Sequence, residues 1–518
     1  MKNISIVAII CGLILLPTLY FPINQDTSIF ALGGKTIADG GQMYVDYLDL
    51  KPPGIYLIYA VFAKTIGISV FALRGFDWAL QLTASLMIFA ILRDRFKKPV
   101  AGAFAAVAYS MLYAVAGYSQ TLQVESFTGI GICAMFLLSK DNPSIFKYAL
   151  IGFIGAVLFS LKFTLGVVGA AFLAYFVIEK WRDRTGNRFW SNLTYIFIGS
   201  VAGLIVGFFP LLHPKTFLEF TFVMKFLSHY ASQNEISIGY IKYLLNLITD
   251  LLSSNLSLVF CLAAALGAAV PAIRIRKEPP IRRSDLFYFF AMGVLLLISV
   301  IIERRFFHYH FVRAFIPFCF FVGLGIEEIY RKLREAFQSG DWYAKVVLVA
   351  LIIGGFVFTP ILRYLWVITP AVYFYTAPAK YENSFQSNDG MHNYKLHREV
   401  ARLLDETVSR DSLALVIATG GNPINYYRAG KPHSKFSHFA FIIAAPDGSQ
   451  WRKEFSEELS RAAALAISTD DVDPIVTGFD GSSLDWITKS DYWEYINTHF
   501  SEARRIGSYF IYYRISAN

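Results

Sequence analysis

The stretch QDTSIFALGGKTIADGGQMYVDYLDLKPPGIYLI, Gln25 to Ile58, carries the carboxylates Asp26, Asp46 and Asp49, followed by Lys51 and a double proline. Very apolar segments flank it on both sides. A hydroxyl is a poor nucleophile at neutral pH, and a carboxylate in a partly desolvated cleft can take its proton. A nearby lysine can stabilise the charge on an anionic leaving group. A charged, aromatic loop of this kind suits group transfer at a membrane surface better than conduction through it. Asp26 is the candidate base; Asp46, Asp49 and Lys51 are candidate substrate-binding residues.

Other ionisable residues stand at the ends of apolar runs. Glu125 is the only acid in its run, and Lys162 lies in the turn FSLKFTLG. Arg304, Arg305 and His308 fall in IIERRFFHYHFVR with Glu303 and His310, while His229, Tyr230 and Glu235 belong to a long loop at 213–253. Charge at a membrane edge is costly and therefore points to function. Glu125 is the second catalytic candidate; Lys162, Arg304, Arg305 and His308 suit a phosphate. Plainer readings stand beside these. Asp26 could cap a helix, Lys51 could snorkel to the interface, and the histidines could simply pack as rings. Asp46, Asp49, Glu125 and His229 could hold a divalent cation, but no spacing demands one. Neither a G-x-x-x-x-G-K-[ST] loop nor a strand-coupled G-x-G-x-x-G is present, so no nucleotide site is expected.

The elements that must position these residues are those of a polytopic helical membrane protein. Of 518 residues, 55% are hydrophobic and 16% charged, against about 25% charged in soluble domains. The net charge of +9 comes from short clusters between apolar runs, a topology signal and not a basic stripe for nucleic acid. The four cysteines lie inside apolar runs without CxxC spacing, which argues against disulfides and structural zinc. MKNISIVAIICGLILLPTLYF reads as an uncleaved first span, since it lacks a small-x-small cleavage site.

A span needs about 20 apolar residues, and about eleven are expected. They lie near 4–21, 75–92, 99–116, 122–139, 146–161, 163–180, 191–212, 254–274, 285–302, 308–326 and 344–366. The apolar piece 53–72 is decided by parity. Counting it as a span would export the basic loops at 93–98, 180–188, 274–283 and 331–334. Laid against the outer face, it leaves all four in the cytoplasm. The loop 22–74 and the residues after 376 are then extracytoplasmic. The expected division is a transmembrane catalytic domain, 1–376, and a small α/β domain, 377–518. The latter has helical runs Tyr394–Val408, Gln450–Ala463 and Leu484–Phe500, and strand-like runs Leu413–Ala418, Leu465–Ser468 and Tyr509–Arg514.

The run D-T-S-I-F…G…M-Y-V-D-Y-L-D-L-K-P-P-G-I-Y, Asp26 to Tyr56, resembles the first outer loop of bacterial GT-C membrane glycosyltransferases. Within these it is similar to the protein O-mannosyltransferase and aminoarabinose transferase superfamily. Q-V-E-S at Glu125, L-K-F at Lys162, F-H-Y-H-F at 307–311 and the terminal Y-F-I-Y-Y-R are further matches. Two positions depart from the pattern. Thr27 follows Asp26 where an acid is usual, and Leu50 separates Asp49 from the Lys-Pro-Pro. The resemblance implies transfer of a sugar from a polyprenyl-phosphate carrier to a hydroxyl on the outer face, with inversion. The implied partners are that lipid donor, membrane lipids and a glycan, lipid or protein acceptor. The implied location is the plasma (inner) membrane. A lipid-linked polysaccharide polymerase or ligase, and a secondary transporter, are the rival readings. The ligase usually depends on a late loop, and the transporter on inverted repeats.

Overall fold

In a computed structural model the chain is described at every residue except 1, 141–143, 181–186, 233–244, 246–257, 275–282, 304–307, 340–341, 344, 348–349, 351–359, 387–392, 429–432, 473–476 and 516–518. Its contacts group into two compact units. Met1–Phe21, Phe71–Phe208 and Ile236–Val372 form the first; Pro22–Val70, Phe209–Glu235 and Tyr373–Asn518 form the second.

The first unit is helical. Among the described residues, five helices are long and apolar enough to cross a membrane: Val70–Arg95, Phe163–Lys180, Arg188–Gly207, Ser284–Glu303 and His308–Gln338. Shorter apolar helices, Pro99–Val115, Val124–Leu138 and Ile145–Leu161, lie where further spans are expected. Most of the expected run 344–366 lies outside the described residues. Apolar side chains such as Ile9, Phe197 and Ile302 are exposed, as lipid-facing positions require. Lipid gives apolar helices little reason to associate, so close packing must do it. An added Cβ on Gly199 would lie 1.7 Å from the Ala149 carbonyl oxygen, and one on Gly152 1.9 Å from that of Ile196. Helices Ile145–Leu161 and Asn187–Gly207 therefore meet backbone to backbone.

The piece expected to lie against the outer face forms helix Gly54–Thr65, 12 residues long. At about 1.5 Å per residue that is about 18 Å, well short of a hydrocarbon core of about 30 Å. It belongs to the second unit and packs on helix Gln25–Ala38, which carries Asp26. Gly34 permits the approach: an added Cβ would stand 2.4 Å from Tyr59 Cβ and 2.6 Å from its carbonyl carbon. Gly34→Ala is expected to force these helices apart at about 1–3 kcal/mol, the usual cost of overpacking. Thermal unfolding in detergent measures it, and an unchanged midpoint would show that the contact yields freely.

The rest of the second unit centres on a four-stranded sheet, order β1-β2-β4-β3. Its strands are β1 (Ala414–Ile417), β2 (Ala464–Ser468), β3 (Phe500–Ile506) and β4 (Tyr509–Arg514). β1 and β2 are parallel, and the other pairs are antiparallel. Helix Tyr394–Thr407 lays Leu396, Val400 and Leu404, spaced four apart, onto Val416, Ala464 and Ile511. β3, FSEARRI, has no apolar alternation and no counterpart in the sequence expectations. It is an edge strand whose exposed charges discourage further pairing. The expected helix Leu484–Phe500 is two helices, Ser483–Ile487 and Tyr492–His499. Gln25 Nε2 donates to the Thr419 carbonyl over 2.7 Å, and Leu48 N to that of Lys435 over 3.0 Å. The 22–70 segment is thereby stitched to the residues around the sheet.

Candidate functional site

Among the described residues, two clusters of ionisable side chains contain residues singled out from sequence, one in each unit. That of the first unit starts from a strained turn. Leu122 has φ +61°, and its N–H donates to the Tyr113 hydroxyl over 2.9 Å. The same hydroxyl lies 2.8 Å from Ser126 Oγ and donates to Asp77 Oδ1 over 2.7 Å. Gln123 and Ser126 close a capping box around the turn Val124–Phe127. These bonds fix Glu125, whose side chain is 1% exposed. Tyr113→Phe would strip the Leu122 N–H and Asp77 of a partner at once. We expect a loss of about 1–3 kcal/mol, read by thermal unfolding; a loss below about 0.5 kcal/mol, within the range of ordinary surface changes, would deny the tyrosine this role.

Glu125 Oε1 accepts from both Lys162 Nζ, 2.7 Å, and Arg313 Nη2, 2.8 Å. Glu303 is held by the same two cations: Lys162 Nζ lies 2.9 Å from Oε2, and Arg313 Nη1 donates to Oε1 over 2.8 Å. His310 Nδ1 lies 3.1 Å from Glu303 Oε2, and the Thr164 hydroxyl donates to Oε1. Arg313 is fully buried and also reaches Ser299 Oγ at 2.9 Å. Two carboxylates thus face one lysine and one arginine. Lys162 is set between helix Ile145–Leu161 and the next turn by its extended backbone, φ −160° and ψ 126°. Its side chain keeps 16% exposure, the most of the four charged groups.

Glu125, Glu303 and His310 bring ligand atoms within 4.8 Å of one another, a spacing a metal ion could use. Of the residues weighed for a cation from sequence, only Glu125 belongs to this group. Its carboxylates already meet Lys162 and Arg313, which supply the two positive charges a divalent ion would bring. The donor set therefore fits a salt-bridge network better than a divalent site.

In the second unit Asn24, and not Asp26, caps helix Gln25–Ala38: its Oδ1 accepts from Thr27 N over 2.8 Å. Asp26 stands in the first turn, with Lys51 Nζ 3.9 Å from Oδ1 and both side chains 20% exposed. The same ammonium lies 4.8 Å from the centre of the Phe30 ring. Asp49 is buried and accepts from the Tyr56 hydroxyl. Burial first, and then the charge of Asp49, pushes the Tyr44, Tyr47 and Tyr56 phenols well above the ordinary tyrosine value. They remain protonated donors. The Tyr44 hydroxyl donates a hydrogen bond to the Lys51 carbonyl over 2.6 Å, which fixes the backbone that carries the ammonium. Asp46 is exposed and accepts from Gln42 N over 2.7 Å.

Of the residues singled out from sequence, the structure pairs Asp26 with Lys51 and Glu125 with Lys162. His308 opens the turn His308–Ala314, which also carries His310 and Arg313. Arg304, Arg305 and Glu235, and the side chains of His229 and Tyr230, lie outside the described residues. Arg313 and Asp77 escaped the sequence reading. Asp77 bears the signal that found Glu125, a lone ionisable residue in an apolar run, whereas Arg313 shares its run with His308 and His310.

The profile of the dolichyl-phosphate-mannose-protein mannosyltransferase family matches residues 50–211. The fold is similar to that of ArnT from Cupriavidus metallidurans bound to undecaprenyl phosphate. That likeness has TM-score 0.56 at 12% identity and covers 100% of this chain and 98% of that one. The family match covers residues 50–211, and the likeness to ArnT is one of fold. The apo state of the same ArnT gives TM-score 0.56 at 10% identity, over 99% of this chain and 97% of the other. No curated protein matches the sequence. The family match takes in Lys51, Glu125 and Lys162, whereas Asp26, Glu303, His310 and Arg313 stand outside it.

Proposed function

We propose that the protein transfers a sugar from a polyprenyl-phosphate carrier to an acceptor hydroxyl on the extracytoplasmic face of the plasma (inner) membrane. The observation that carries this reading is the Asp26–Lys51 pair, with a carboxylate and an ammonium 3.9 Å apart on the loop that resembles the family's first outer loop. The undecaprenyl phosphate bound to the similar ArnT supports the donor class. The basic loops, assigned to the cytoplasm by parity, support the orientation.

In this reading the acceptor oxygen attacks the anomeric carbon in a single displacement with inversion. Its proton goes to Asp26, a carbon–oxygen bond forms, and the bond from the anomeric carbon to the phosphate oxygen breaks. The electron pair leaves with the lipid phosphate. Lys51 meets the charge growing there, and its seat over Phe30 holds it in place with little loss of attraction. Glu125 is the weaker candidate base, because two cations already share its oxygen. Its proposed role is to fix Lys162. Arg304, Arg305 and His308 remain proposed phosphate contacts on sequence grounds, and Asp46 and Asp49 are proposed to shape the loop around Lys51.

The test is sugar transfer by the purified protein from a panel of radiolabelled polyprenyl-phosphate sugars. Transfer, or slow donor hydrolysis, is the expected result. Silence with every lipid phosphosugar in a folded preparation would overturn the reading and return the polymerase, ligase and transporter alternatives.

A further inference from the structure

The second unit holds a cleft that the transfer reaction leaves unused. It encloses ≈ 810 Å³, within the range of about 300–1,000 Å³ common for small-molecule sites. One wall is helix Gln450–Arg461, with Arg452 and Lys453; the other is Trp486, Lys489 and helix Tyr492–His499. The Tyr492 hydroxyl donates to the Arg452 carbonyl over 3.0 Å, and its ring packs edge-on against Phe455. The walls are therefore held at a fixed spacing before any ligand arrives, which lowers the entropy cost of binding.

The lining combines aromatic rings with planar and charged groups. Arg452 lies 5.1 Å over Trp486, and Lys489 5.4 Å over Phe479. Each cation is thus seated on a ring that orients it. Arg452 pairs with Asp447 through Nη1, yet its Nε is buried without a protein hydrogen-bond partner. Three cations, Arg452, Lys453 and Lys489, stand against the carboxylates of Asp447 and Asp491, so the lining carries one net positive charge.

We propose that this cleft binds a stretch of anionic saccharide chain. A sugar ring offers apolar C–H faces to the aromatic walls and hydroxyl edges to the polar groups. A carboxylate or phosphate on the sugar supplies an acceptor to the exposed ammonium groups of Lys453 and Lys489. As a statement about binding the proposal stands alone. As a statement that the acceptor is an acidic glycan it rests on the transferase reading.

The experiment is calorimetric titration of the full-length protein in detergent with tetragalacturonate, phosphorylated maltotetraose and neutral maltotetraose. At least one anionic probe is expected to bind about tenfold or more tighter than maltotetraose, weakening as salt rises. The probe that binds names the anion, carboxylate or phosphate. Lys453→Gln with Lys489→Gln, both at the surface, should weaken that binding about tenfold at an unchanged unfolding midpoint. Equal binding of neutral and anionic probes, binding indifferent to the double substitution, or no binding by folded protein would each overturn the proposal. None of these depends on sugar transfer, so a failed transfer assay with intact binding would sink only the transferase reading.

Discussion

Asp26→Asn is expected to lower sugar transfer about 10²–10⁴-fold, the usual contribution of a positioned general base. The loss should fall in kcat. Asparagine keeps the size of the side chain and can still contact Lys51, but it cannot take the acceptor proton. Binding of undecaprenyl phosphate, measured directly, should persist because Lys51 is retained. Lys51→Met should show the complementary pattern, with weaker donor binding accompanying the loss of rate, since the ammonium is proposed to meet the phosphate in both ground and transition states. Full activity in Asp26→Asn, together with its loss in Glu125→Gln, would move the base to Glu125.

The second large effect concerns stability. Arg313→Met should destabilise the first unit by about 3–5 kcal/mol, the cost of removing one partner from a buried ion pair. The arginine is fully buried, and it donates to both Glu125 and Glu303. Without it two carboxylates face Lys162 as their remaining cation, apart from the neighbouring His310. Adding Glu303→Gln restores the balance of charge and should recover much of the loss. A single variant that unfolds within about 1 kcal/mol of wild type would show that water or lipid headgroups already screen the site. A double variant no better than the single would show that the pairing is not the source of the cost.

The two centres differ in how far the sequence disclosed them. Asp26 and Lys51 are 25 positions apart on one loop, and Glu125 and Lys162 are polar residues in apolar surroundings; composition alone marks them. Arg313 shares its apolar run with His308 and His310, and so does not stand out as Glu125 does. Its partner Glu125 is 188 positions distant, and nothing local to either residue announces the other. Asp46 and Asp49 show the converse. They read as substrate ligands, and the structure adds what no sequence pattern announces: one accepts from a loop N–H and the other from a buried tyrosine. A carboxylate has the same sequence signature whether it serves a ligand or its own backbone.

The sequence by itself determined where the apolar runs lie, which residues interrupt them, and that 53–72 is unlike the others. Lipid makes these properties local, because each span must satisfy its own backbone and each stray charge is costly wherever it falls. Strands β1, β2 and β4 were legible for a related reason: each is a short run rich in apolar and aromatic residues within a polar stretch of chain. Tertiary structure decided which charges meet, that two cations are shared between Glu125 and Glu303, and that FSEARRI pairs as an edge strand. It also decided that the Asp26 loop packs with the C-terminal sheet region. Such pairings depend on the shapes of helices brought together from distant parts of the chain, and a short-range pattern carries no record of them.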